Sequence, residues 1–363
     1  MGTIAPGRTA RNRAVDGVGT IAPGAGRSGI VPPQALSVHS RDDDNPRGPA
    51  SPYRRTMTPR WSPNPRSLLR RQELLTRGVH PRRLASEEFT EVIPGFCTPT
   101  DAPADLQVIA RVLQREVSPD AVISHVTAAE LLRLPLPFSQ RHDELNRIHC
   151  TVAPEKRRRL GPRVTVHARR PAPTRRWRGL TMSAPVELLS DLAGELTTLE
   201  LVQACDKLVG PQAERPRVSL RELQELVDHA SGIPGINQVR QAVTEARELV
   251  DSPKETELRL LLTEENYVEP EINVWVRAPK TGENFRLDLS YPWLKIAIEY
   301  DGDWHRTDRA RHRRDRRKDD VLHELGWRVV RATDEDLSSP SNFLGRLAHL
   351  GAPQLRAAQM LVG

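Results

Sequence analysis

Between Asp288 and His305 the chain reads D-L-S-Y-P-W-L-K-I-A-I-E-Y-D-G-D-W-H, which places Asp288, Glu299, Asp301 and His305 around one apolar segment and one turn. Alternation in Phe285-Arg-Leu-Asp-Leu puts Phe285, Leu287 and Leu289 on one face of a strand and Asp288 on the other. Lys295-Ile-Ala-Ile-Glu-Tyr-Asp is apolar until its end, the pattern of a central strand. Glu299 and Asp301 share a parity there, so both are expected to face an ion held by Asp288. Buried carboxylates are costly alone and repel one another unless a cation or a proton joins them. A Mg²⁺ ion, or Mn²⁺ in its place, resolves both problems and retains water for chemistry. His305, just past the turn, is placed to take a proton from that water. A basic run follows from Arg306 to Lys318, on an expected helix ending near Gly326. Arg313, Arg314, Arg317 and Lys318 are the side chains expected to grip a phosphate backbone, although such a run is also the ordinary form of a solvated helix face. Carboxylates that bind a metal beside a basic surface point to hydrolysis of a phosphodiester.

The elements that must position these groups are legible around them. Ser252-Pro-Lys-Glu255 starts a helix: Ser252 caps, Pro253 fits the first position, and Glu255 completes a capping box. Glu257 lies one position from the stripe Leu258, Leu261 and Leu262, and is either turned inward to support the metal ligands from behind or an ordinary exposed helix Glu. Strands are expected at Ile272–Val276, Phe285–Leu289, Lys295–Tyr300 and, after the basic helix, Trp327–Arg331. Residues 251–340 therefore read as an α/β domain with a mixed sheet flanked by helices, and 341–363 as a helical tail.

Upstream, the chain reads as further modules. Residues 1–56 are rich in Gly, Pro, Arg and Ser and are expected to be disordered; the hexapeptide GTIAPG occurs there twice, and a start at Met57 would make this stretch a start-site artefact. Residues 57–103 read as helix, turn, short basic helix and hairpin, the order of a winged helix-turn-helix, with Arg82 and Arg83 facing nucleic acid. Residues 104–250 read as an α/β middle module with a helical linker. Its Lys156–Arg159 cluster is either a phosphate contact or a solvated tip. Its histidines His125, His142, His149 and His167 share no metal-ligand spacing and are expected to be structural or exposed. The formal charge of +7 over 363 residues favours a polyanionic partner. Cys97, Cys150 and Cys205 form no CxxC pair and read as buried free thiols in a reducing cytoplasm. No apolar run is long enough for a membrane span, and the N-terminus lacks the apolar core of a signal peptide.

From about Glu257 to Leu337 the chain resembles the PD-(D/E)xK nuclease superfamily, closest to the branch related to very-short-patch-repair endonucleases. The resemblance rests on Glu257, on Asp288 in R-L-D-L, on Glu299 in E-Y-D-G-D-W-H, and on the later R-D-R-R-K-D-D and G-W-R-V-V-R. It implies a restriction-endonuclease-like fold in which Asp288 and Glu299 bind Mg²⁺ for phosphodiester cleavage, with Asp301 adding a direct or water-mediated ligand. The chain departs at one position: the Lys expected two residues after the Glu is Asp301. That shifts transition-state stabilisation to His305 or to an Arg such as Arg314. The upstream half is similar to the winged-helix and linker modules of AbiEi-type antitoxin proteins, on R-G-V-H-P-R-R-L (77–84), I-S-H-V-T-A-A-E-L-L (123–132) and T-M-S-A-P-V-E-L-L-S-D-L-A (181–193). Together the resemblances imply a metal-dependent DNA endonuclease with a front end that binds duplex DNA. The alternatives are an antitoxin-like transcriptional regulator with a degenerate nuclease fold, and a nuclease directed at RNA.

Overall fold

Alternating apolar residues organise the chain into three sheets among the residues that the computed structural model describes: 66–141, 147–215, 217–302 and 309–355, without the side chains of 309–313. The described residues fall within one unit, Pro59–Gly363. The tail at 1–56, Met57, His142, His305, the Arg313 side chain and residues 356–363 lie outside them.

The first sheet contains β1 (Leu69–Arg70), β2 (Phe89–Ile93) and β3 (Phe96–Pro99), antiparallel in the order β1-β3-β2. Between β1 and β2 lie α1 (Arg71–Thr76) and the single turn α2 (Pro81–Leu84). The first helix begins only at Arg71 because Leu69 pairs with Cys97 and the Arg71 N–H donates to Gly95 O at 2.8 Å. Gly78, at φ 82°, closes α1. Val92, Ile93 and Phe96 share a core with Ile123, Leu188 and Val239, so the core is continuous across residue 103.

The second sheet runs β6-β5-β4-β8-β7, from β4 (Val122–Ile123), β5 (Ile148–Val152), β6 (Val164–Ala168), β7 (Thr174–Trp177) and β8 (Leu180–Ser183). The β7–β8 hairpin turns at Arg178-Gly179, both with positive φ, as a tight two-residue turn requires. The helices are α3 (Leu106–Val112), α4 (His125–Leu131), α5 (Pro185–Leu192), α6 (Thr198–Val209), α7 (Leu220–His229) and α8 (Ile236–Glu245). Pro185 opens α5, and Thr197 with Glu200 caps α6. Cys97, Cys150 and Cys205 are buried and free.

The third sheet runs β12-β11-β10-β9, with α9 (Pro253–Glu264), β9 (Glu271–Arg277), β10 (Asn284–Tyr291), β11 (Ile296–Tyr300), α10 (Arg309–Glu324), β12 (Arg328–Ala332), α11 (Asp334–Ser338) and α12 (Ser341–His349). The first three strands are antiparallel, and α10 is the crossover to β12, parallel to β11. Leu258 and Leu262 of α9 pack with Leu289, Ile298, Phe343 and Leu347, while Leu322 of α10 packs with Leu287 and Ala297. This is an α/β architecture with a mixed sheet flanked by helices.

A buried ionic network fixes the third sheet to the helices before it. Arg259 on α9 is fully buried, donates to Glu245 O at 2.7 Å and to Glu269 at 3.0 Å, and lies 3.6 Å from Asp206 of α6. Asp206 accepts from the Arg247 N–H at 2.6 Å and from the Thr256 hydroxyl at 2.7 Å. Among the described residues no helix is long and apolar enough to cross a membrane.

Candidate active site

The pairing of β10 with β11 stops at Leu289↔Ile298. One residue further, the Asp288 carboxylate accepts the Tyr300 N–H at 3.1 Å, in place of a backbone carbonyl. The strands part at this point, and Asp288 and Glu299 occupy the opening. Burial raises the pKa of Asp288, and the charge of Asp251 adds to the rise against Lys318 and Arg286. Glu299 is pushed up to about 7, first by burial and then by Asp288. Its Oε2 accepts from Lys318 at 2.5 Å, whereas its buried Oε1 has no hydrogen-bond partner among the described residues. The fold thus brings Asp288 and Glu299 together, without Asp301.

Two further carboxylates complete the cluster. Glu255 is buried on the first turn of α9, and Asp251 immediately precedes that helix. The Glu255 pKa is raised by burial and by Asp288. Ser252 accepts the Glu255 N–H at 3.2 Å, so the expected cap forms. The Glu255 side chain does not return to Ser252 as a capping box requires; it accepts from the Asp251 N–H at 3.1 Å and from Asn273 at 2.9 Å. Asp251 pairs with Arg286 of β10. Among the described residues, four carboxylates, at 251, 255, 288 and 299, therefore face two cations, Arg286 and Lys318.

Other expected residues stand elsewhere. Glu257 pairs with Lys254 at 2.9 Å, and Lys254 also binds Asp334 at 2.7 Å and lies 5.7 Å from the Tyr300 ring centre. Asp301 is exposed, and its N–H donates to Ala332 O at 2.8 Å. Lys318, expected on the phosphate-binding face, is turned inward onto Glu299. Arg317 pairs with Glu283 at 2.9 Å, and Arg314 is exposed. At the front end Arg82 is exposed, whereas Arg83 is held by Glu88 at 2.6 Å and stands 5.7 Å from the Phe89 ring centre. In the basic tip, Lys156 pairs with Asp120 at 2.8 Å.

The donor set fits a hard divalent ion at Asp288 and Glu299. Both offer acidic oxygens in a half-buried opening, and Glu299 Oε1 is unpartnered among the described residues. Among the described residues no three Asp, Glu, His or Cys side chains enclose an ion between them. Two carboxylates with water and substrate oxygens completing the shell is the habit of Mg²⁺.

A second polar cluster joins residues whose sequence spacing gave no sign of proximity. His125 stacks on His167 with ring centres 3.5 Å apart, and His167 Nε2 lies 3.2 Å from His149 Nδ1. Beneath them Asp191 accepts from Arg169 at 2.7 Å and from Ser183 at 3.2 Å, and stands 3.5 Å from His125. Burial, followed by His167, lowers the His125 pKa from 6.5 to about 3. The unfolded imidazole then binds a proton that the folded one refuses. His125 supports the fold fully above pH 6.5 and progressively less as pH falls towards 3. Thermal melts from pH 7 to 4 should show this loss, and His125→Asn, which tolerates the φ of 51°, should flatten it. An unchanged slope would remove His125 as its source.

No family model matches the chain. It is similar to Uncharacterized protein MT2308 and Uncharacterized protein Rv2248 of two Mycobacterium tuberculosis strains, CDC 1551 / Oshkosh and ATCC 25618 / H37Rv. Each is 28% identical over 196 residues, covering 54% of this chain and 69% of the relative.

Proposed function

We propose that the protein is a metal-dependent nuclease hydrolysing phosphodiester bonds in DNA, with its reaction centre at Asp288, Glu299 and Lys318. The observation that carries this reading is the half-buried Asp288–Glu299 pair, in which one Glu299 oxygen is unpartnered among the described residues and the other faces an ammonium. Asp288 and Glu299 would hold Mg²⁺ or Mn²⁺, which when bound supplies an activated water and a Lewis acid for the phosphate. Lys318 brings from α10 the positive charge that the sequence motif lacks at position 301. Its ammonium faces the same carboxylate and is placed to stabilise charge building on the phosphoryl oxygens. Glu255 and Asn273 hold the first turn of α9 against the site, and Arg286 orients Asp251. Arg314 on α10 and Arg82 on α2 supply exposed positive charge for a nucleic-acid backbone.

The test is a panel of labelled duplex DNA, single-stranded DNA and RNA, incubated with Mg²⁺, Mn²⁺ or EDTA. Metal-dependent cleavage supports the proposal and identifies the substrate. The helix–helix–hairpin order of residues 71–99 favours one other reading, a DNA-binding regulator of the antitoxin type. Duplex binding that is unchanged by EDTA, without cleavage of any substrate, would select it.

The pH response follows from Glu299. It ionises only as pH rises through about 7, and a metal ligand must be ionised. Below that pH the single-turnover cleavage rate should climb roughly tenfold per unit and level off above it. A profile flat from pH 5.5 to 8.5 would contradict the assignment.

A further inference from the structure

An exposed tryptophan stands beside the carboxylate opening and takes no part in the chemistry described above. Trp275 lies on β9, an edge strand, and is 65% exposed. An indole at an edge gains nothing from burial there and offers a flat apolar face to solvent. Its place is fixed by register. Trp275 pairs directly with Arg286, and Arg286 shares its face of β10 with Asp288, two residues on. The residue spacing along a strand puts the Trp275 position about 7 Å along the sheet from the Asp288 row, roughly the step between adjacent nucleotides. Arg286 lies 5.8 Å from the ring centre and is itself held by Asp251, so one side of the indole is braced against a fixed cation. Asn273, between Trp275 and the acidic cluster, adopts a left-handed φ of 54° and donates to Glu255 and to Leu249 O. The strand carrying the indole is therefore tied to the carboxylate site.

We infer that Trp275 is a stacking platform for an unpaired base of the substrate, next to the phosphate held at Asp288 and Glu299. A base inside a duplex has no free face for an edge-strand indole, whereas a base in a single strand, a bulge or a flap does. Arg286 supplies charge complementarity to the nucleotide's phosphate and keeps the ring in place. The site thus selects nucleic acid with an unstacked base at the point of cleavage. This inference rests on the nuclease reading for its location, but stacking is measurable without cleavage.

The experiment uses the full chain in EDTA, with a fluorescent single-stranded oligodeoxynucleotide and the blunt duplex of the same sequence, followed by anisotropy. Trp275→Ala should weaken single-strand binding about tenfold and duplex binding less than twofold, and Trp275→Phe should keep most of the affinity. Quenching of tryptophan fluorescence by the single strand should be smaller in Trp275→Phe than in the wild type. Equal losses on both substrates, no loss on either, or undiminished quenching in Trp275→Phe would overturn the platform. Selective loss in a protein that cleaves nothing would leave the platform standing and remove the nuclease reading; cleavage with no effect of Trp275→Ala would do the reverse.

Discussion

Asp288→Asn and Glu299→Gln should each reduce metal-dependent cleavage by about 10²–10³-fold, because a bound metal contributes several kcal/mol and each factor of ten is about 1.4 kcal/mol. Neither substitution should cost stability. Burial already raises both carboxyls, helped by Asp251 at Asp288 and by Asp288 at Glu299, so a neutral amide of the same shape removes an unfavourable charge. The melting temperature in EDTA should therefore stay level or rise, and the rise with added Mn²⁺ should vanish. Lys318→Met should fall in the same range of activity, since it removes the ammonium facing Glu299 and raises that carboxyl further. Asp301→Asn, at an exposed carboxylate, should lose much less. Asp301 being as damaging as Asp288 would restore the simple parity reading and move the ion outward.

The largest effect on stability should come from Arg259. Replacing it with Met removes a guanidinium that is fully buried between Asp206 and Glu269. Asp206, only 2% exposed and already lifted to about 6 chiefly by burial, would keep the Arg247 N–H and Thr256 hydroxyl but lose its closest buried cation. Breaking such a pair from one side costs about 3–5 kcal/mol. Urea denaturation of Arg259→Met should show a midpoint lowered to match, and Asp206→Asn should recover part of it. A change below about 1 kcal/mol would show that surrounding packing, rather than this network, joins the third sheet to the helices.

How much of this could be read from the sequence depended on whether the signal was local. Alternation in β10 and the apolar run of β11 located Asp288 and Glu299, because pleat parity is a short-range property. Ser252 and Pro253 fixed the start of α9 for the same reason. The helical carboxylate was assigned one phase off. Glu255, Leu258 and Leu262 lie at i, i+3 and i+7 on the buried face, and that spacing marks Glu255 rather than Glu257. Within the charge run of α10, buried Leu322 sets the inward face, and four residues back along it is Lys318. Composition alone hid that, since every neighbour of Lys318 is charged too. Asp251, Asn273 and the three clustered histidines left no comparable trace. Asp251 meets Arg286 across 35 positions, and His125 meets His167 across 42, so only the folded chain brings them together. The pieces β4, β7 and β8 are too short to carry a pattern of their own, and their pairing supplies what their sequence lacks.

The measurement that addresses the central assignment most directly is a calorimetric titration of Mn²⁺ into the wild type and into the Asp288→Asn, Glu299→Gln double variant at pH 8, where Glu299 is ionised. The account predicts saturable binding to the wild type, absent from the double variant, with an affinity that weakens as the pH is lowered through 7. Equal binding by both proteins, or none by a folded wild type, would contradict the placement of a metal at Asp288 and Glu299.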